Sequence, residues 1–137
     1  MYPKEARKLK AKYQVTLDTV LTHILKQDAQ CADSEEQQCY YRYHGMKCAI
    51  GALIPDALYD PRMDESTLGV VELFKAYPEV KEYFEIAYVA DEDFLFAIQR
   101  AHDKYEPRME DAGTDFIDFV VPRLRELAED NELVFNG

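Results

Sequence analysis

Cys31, Cys39, His44 and Cys48 follow one another at a C-x7-C-x4-H-x3-C spacing. Three thiolates and an imidazole are a sufficient ligand set for a tetrahedral zinc ion. The close C-x2-C pair typical of structural zinc sites is absent, and Cys31 sits in a polar stretch away from the others. A second use of the same residues is nucleophilic. Cys48 follows Lys47 near an expected helix start, and both features lower a thiol pKa. Its base would be His23, His44 or His102, but His23 flanks an apolar stripe and His102 faces inward on its own helix, as packed residues do. The simplest alternative is that Cys48 is a small buried hydrophobe beside Ala49 and Ile50. No catalytic residue and no cofactor is assigned on this basis, and metal binding stays an alternative confined to Cys31, Cys39, His44 and Cys48.

Two further clusters invite chemistry. Asp56, Asp60, Asp64 and Glu65 could face a divalent cation, but calcium loops place glycine at the sharp bend where this chain has prolines. Capping and corner formation suit Asp56 and Asp60 better. In an extended segment Tyr41 and Tyr43 share one face, and Tyr40 and Arg42 the other. One face must be core; the other is a candidate contact surface, which makes Tyr41, Arg42 and Tyr43 candidate partner-binding residues. Gly45 and Gly51 form neither a phosphate loop nor a dinucleotide fingerprint.

The elements that would position these residues are mostly helical. Pro3 suits a first helical position, and Ala6, Leu9, Tyr13, Leu17, Val20, Leu21, Ile24 and Leu25 recur at spacings of three and four, so residues 3–28 read as helix. Thr16 could cap a second helix, leaving one long helix or two short ones open. Residues 29–38 lack any apolar period and read as loop. Cys39 to Tyr43 has the aromatic density of a strand, His44-Gly45 turns the chain, and a hairpin near residues 39–49 is expected to run into a helical turn near Ile50 to Leu53. Pro55 and Pro61 mark corners. Further helices are expected from Ser66 or Thr67 to Tyr77, from Asp91 as N-cap to Tyr105, and from Gly113-Thr114 onward, with a kink or early break at Pro122.

With 137 residues and 47% hydrophobic content, the chain matches one soluble globular domain. No run approaches the ~20 apolar residues of a membrane span. The first residues are basic without an apolar core, so an export signal is not expected, the cysteines should be reduced, and the expected location is the cytoplasm. Charge is uneven. Lys4, Arg7, Lys8, Lys10 and Lys12 against Glu5 give the first twelve residues +4, which leaves −15 for the rest of a chain whose net charge is −11. Such a body should repel nucleic-acid phosphates and attract a basic surface on a protein partner. Residues 1–15 form a candidate projecting basic helical arm, which could dock on the acidic body of a second copy.

The stretch Tyr41 to Asp64, with Arg42, Gly45, Lys47, Cys48, Gly51, Pro55, Asp56, Tyr59, Asp60 and Pro61, resembles a signature of small uncharacterised proteins of bacteriophage and bacterial genomes. In those an aromatic-Arg-Tyr segment leads into G-x-K-C-A-[IV]-G-x-L-I-P-D and then Y-D-P. The helix around Val20 to Gln27 and the late helix ending in Leu124 to Leu127 look similar too, so the resemblance touches about half the chain, and it carries no activity. It implies a phage-type accessory protein in the cytoplasm of a bacterial host.

The expectation is therefore a mainly α (α+β) single domain spanning 1–137, with about five helices and a small β-hairpin. It is expected to be non-enzymatic and to bind and modulate another protein, in the sharpest version as an acidic inhibitor of a host nucleic-acid-binding or defence enzyme. Asp91, Glu92, Asp93, Glu110, Asp111, Asp115 and Asp118 would then imitate phosphates. The alternatives are a Cys/His-centred metal or thiol module and a self-associating structural protein.

Overall fold

Helix α1 (Pro3–Gln27) is one unbroken element of 25 residues, about 37 Å long. In this computed structural model the described residues are 3–32, 39–65, 69–107 and 111–137. Leu17, Val20, Leu21 and Ile24 are buried along one face of α1, while Leu25 turns to solvent at 44% exposure. Thr16 does not start a second helix. Its hydroxyl donates to the Lys12 carbonyl one turn back (3.0 Å), a bond compatible with a helix interior. The basic first turns are not all projecting either: Tyr13 stacks on Phe94 with ring centroids 4.2 Å apart, and Lys12 donates to the Glu85 carbonyl.

The expected hairpin is present. Strands β1 (Arg42–Tyr43) and β2 (Met46–Lys47) pair antiparallel, Arg42 opposite Lys47. The two-residue loop between them, His44 (φ 48°) and Gly45 (φ 82°), places both residues in the left-handed region that a twist-matched tight turn requires. The chain then coils through helical turns, with Ala52 N–H donating to the Cys48 carbonyl and Leu53 N–H to that of Ile50. Of the described glycines, Gly51 comes closest to another stretch of backbone. A Cβ there would stand 2.0 Å from the Tyr41 carbonyl oxygen, so only glycine lets these two segments touch.

Asp60 caps a short 3-10 helix (Pro61–Asp64) by accepting from Arg62 N–H. Asp64 at its end binds the hairpin: its carboxylate accepts from Tyr41 N–H (2.7 Å), Arg42 N–H (3.2 Å) and the Tyr59 hydroxyl. Helices α2 (Val70–Ala76) and α3 (Pro78–Tyr83) follow, then α4 (Val89–Asp103) and α5 (Phe116–Asp130). The proposed start at Ser66 or Thr67 lies outside the described residues; α2 opens at Gly69.

Helix α4 packs against α2 and α5, and α5 packs against α1. The core they enclose includes Phe74, Ile98, Val120 and Leu124, together with Ile50 and Met63 from the middle of the chain. Helix α5 continues across Pro122 without the expected break. Pro122 is exposed, so the carbonyl that loses its helical partner faces solvent rather than the core. Among the described residues no helix is long and apolar enough to cross a membrane.

Candidate functional site

The thiols and the histidine that meet in space are not the set that local spacing pointed to. His44 is exposed on the hairpin turn and stacks on Tyr43 (centroids 4.1 Å apart), away from the cysteines. The imidazole that joins them is His102, in the last turn of α4 and 1% exposed. Cys39, His102 and Asp103 each place one potential ligand atom within 4.8 Å of the others.

The hydrogen bonds at this cluster decide its chemistry. His102 Nε2 accepts from the Cys31 N–H (3.1 Å), so the ring proton must sit on Nδ1, and Nδ1–H donates to Asp103 Oδ1 (2.7 Å). Gln99 donates to the same Asp103 oxygen (2.8 Å) and accepts from the Ile50 N–H (3.0 Å). Neither ring nitrogen of His102 keeps a lone pair for a metal unless the buried Cys31 N–H is left without its acceptor. The arrangement is a hydrogen-bonded node that ties the end of α4 to the segments around Cys31, Cys39 and Ile50.

Nucleophilic use of the thiols fares no better. Cys31 and Cys48 are fully buried, and burial, reinforced by the Asp64 carboxylate, pushes the Cys31 thiol up to about 12. Burial likewise raises Cys48 well above its ordinary value, despite the Gly51 N–H donated to its sulfur at 3.2 Å. Cys39 is raised by burial and then by Asp103. The expected lowering of the Cys48 pKa is thus overturned: the Lys47 ammonium lies 3.8 Å from Asp56, and the thiol itself is sealed in core. Cys31 and Cys48 should therefore resist alkylation in the native protein at neutral pH. Their labelling by iodoacetamide should follow global unfolding across a urea series. Rapid native-state labelling of either one would refute their placement.

The aromatic hairpin divides differently from simple strand alternation. Tyr41 is buried at 6% exposure, which removes it as a surface contact. Tyr43 is half-buried and sandwiched between Tyr40 (4.8 Å) and His44. Arg42 is an internal clasp rather than a presented cation. Its guanidinium donates to the Ile54 carbonyl (2.7 Å), pairs with Asp56 (2.7 Å) and lies 4.4 Å from the centre of the Tyr59 ring.

The carboxylates proposed as phosphate imitators separate as well. Asp91 is not the N-cap of α4 and not a surface charge. Tyr88 holds the N-cap position, and the Asp91 side chain, 1% exposed, reaches back to the N–H groups of Ala87 (2.9 Å) and Tyr88 (3.0 Å) and accepts from the Tyr13 hydroxyl (2.9 Å). Lys12 stands 3.7 Å away. A carboxylate so enclosed serves the fold. Glu92 is half-buried and Asp93 exposed on α4, while Asp115 and Asp118 are exposed at the start of α5. Asp111 is half-buried and accepts from the Glu106 N–H; Glu110 lies outside the described residues. The C-terminal end of α4 meets the first turns of α5 through His102 and Tyr105 on Phe116. Asp93 therefore sits some ten residues, about 15 Å, along α4 from the Asp115–Asp118 end. The six described carboxylates do not form one patch.

No family model, curated protein or solved structure matches this chain.

A more coherent surface runs along α5. Asp115, Asp118, Glu126, Glu129 and Asp130 are all exposed, and among the described residues none is in an ion pair or a side-chain hydrogen bond. Glu126, Glu129 and Asp130 were missed by sequence reasoning, although the signal was available. With Phe116, Val120 and Leu124 facing inward, positions 118, 126 and 129 fall on the opposite side of a 3.6-residue helix.

Proposed function

We propose that this protein is a non-enzymatic accessory protein of the phage type, which binds another protein through a basic surface of that partner and modulates it. The observation that carries the reading is the outer face of α5. Asp115, Asp118, Glu126 and Glu129 extend over about 21 Å of helix, none of them in an ion pair among the described residues, with the exposed Arg125 as a cation on the same side. Four carboxylates along one helix side outnumber Arg125 and repel one another, a cost relieved when lysines and arginines of a partner dock beside them. Such contacts contribute orientation and encounter rate more than raw affinity, and salt should weaken them. The phage-type context rests on the resemblance of the Tyr41–Asp64 stretch. A host nucleic-acid-binding or defence enzyme, with a cationic groove, is the kind of target this face fits.

The test uses the full chain and a variant carrying Asp118→Asn, Glu126→Gln and Glu129→Gln. Wild type should capture a basic protein from host lysate at low salt and release it as salt rises. The variant should bind that protein about tenfold more weakly or worse, equivalent to about 1.4 kcal/mol. Equal binding by the variant would overturn the reading.

A further inference from the structure

Among the described residues, one face of helix α4 has no partner in the fold. Val89 is 73% exposed and Phe96 48%, large fractions for apolar side chains, and Asp93 and Arg100 are exposed between and beyond them. At 3.6 residues per turn these four residues fall within an arc of about 60°, a single stripe along the helix. Beside the stripe, between α4 and α5, lies a groove of about 430 Å³ with Ala97, Ala101, Phe119 and Leu127 among its lining residues. Arg100 and Lys104 stand at its α4 edge, and neither has an ion-pair partner among the described residues.

From this pattern we infer that the α4 face pairs with the same face of a second copy, antiparallel, about a two-fold axis between Phe96 and Ala97. Charge order along the stripe is what specifies the occupant. Acid precedes Phe96 by three residues and base follows it by four, so reversing one helix against the other sets each Asp93 opposite the other chain's Arg100. The same register sets Phe96 opposite Ala97, at the lip of the groove, beside its apolar lining residues Ala101, Phe119 and Leu127. An isologous contact of this kind buries both Phe96 rings and closes with two identical ion pairs. Parallel pairing would instead set Asp93 against Asp93 and Arg100 against Arg100. The inference does not depend on the α5 reading: its stripe lies on α4 and its partner is a second copy, although Glu126 and Asp130 of α5 also line the groove.

Sedimentation equilibrium of the full chain at low salt should give twice the 15.9 kDa chain mass, falling toward one chain as salt rises. Asp93→Arg alone and Arg100→Asp alone should each remain at the single-chain mass, because each creates two like-charge contacts. The double variant, D93R with R100D, should recover the dimer, and so should an equimolar mixture of the two single variants. Both positions are exposed, so the single variants should keep the wild-type circular dichroism spectrum. A wild type that stays at one chain mass, single variants that still dimerise, or a double variant that fails to recover would each overturn the proposal.

Discussion

Replacing Gly51 by alanine is expected to destabilise the protein by at least about 3 kcal/mol, the upper part of the range for overpacking. The added Cβ would lie 2.0 Å from the Tyr41 carbonyl oxygen and 2.8 Å from its carbonyl carbon. Both are backbone atoms, and neither segment has room to withdraw. Tyr41 N–H is bonded to Asp64, and the Tyr41 carbonyl accepts from Cys48 N–H (3.0 Å). The midpoint of urea unfolding should drop with little change in slope. Gly45→Ala is the comparison: at φ 82°, with nothing within 4 Å of the new Cβ, it should cost only about 1–2 kcal/mol of left-handed strain. If the two variants proved equally mild, the close approach of Gly51 to Tyr41 would be wrong.

Asp91→Ala should cost about 3–5 kcal/mol, the range for removing one member of a buried charged network. It leaves two N–H groups, the Tyr13 hydroxyl and Lys12 without their common acceptor. Burial by itself would raise the Asp91 pKa. The N–H of Ala87, the Tyr13 hydroxyl, the N–H of Tyr88 and Lys12 together outweigh burial and hold it below the ordinary carboxylate value. A folded-state pKa below the unfolded one means that the unfolded chain binds the proton first. The stabilisation is therefore fully present above the unfolded pKa of about 3.9 and is lost as pH falls through the lower folded value. Asp91→Asn, which cannot ionise, should lack this component. Its stability relative to wild type should be poorest at neutral pH and converge on wild type in acid. A difference that stayed constant from pH 7 down to acid unfolding would refute the assignment.

Asp91 also shows where sequence reading reaches its limit. A carboxylate at a helix start, followed by Glu92 and Asp93, has the pattern of a solvent-facing cap. What reverses the reading is Tyr13, 78 residues earlier, which stacks on Phe94 and donates its hydroxyl to the carboxylate. Local rules sufficed wherever the determinant was local. The His44-Gly45 turn, the α1 stripe from Leu17 to Ile24 and the corner at Asp60-Pro61 follow from backbone preference and periodicity over a few residues. The thiol cluster followed no such rule, because His102 reaches Cys31 across 71 residues of chain, whereas His44, close in sequence, points away. Gly51 was recognisable as part of a motif, but its purpose depends on Tyr41 returning to within contact distance, which no spacing encodes.

The bonds between α1 and the end of the chain have a consequence for synthesis. Gln14 exchanges two hydrogen bonds with the backbone of Val134, and Asp18 accepts from Asn136, pairs separated by 120 and 118 residues. On the ribosome α1 emerges well before α5 and the segment that fastens across it, with the hairpin and α2 to α4 translated in between. The apolar stripe of α1 must wait uncovered through that interval, a state that exposes nascent chains to aggregation. The basic first turns, with their like charges, would keep waiting copies of α1 apart until α5 arrives.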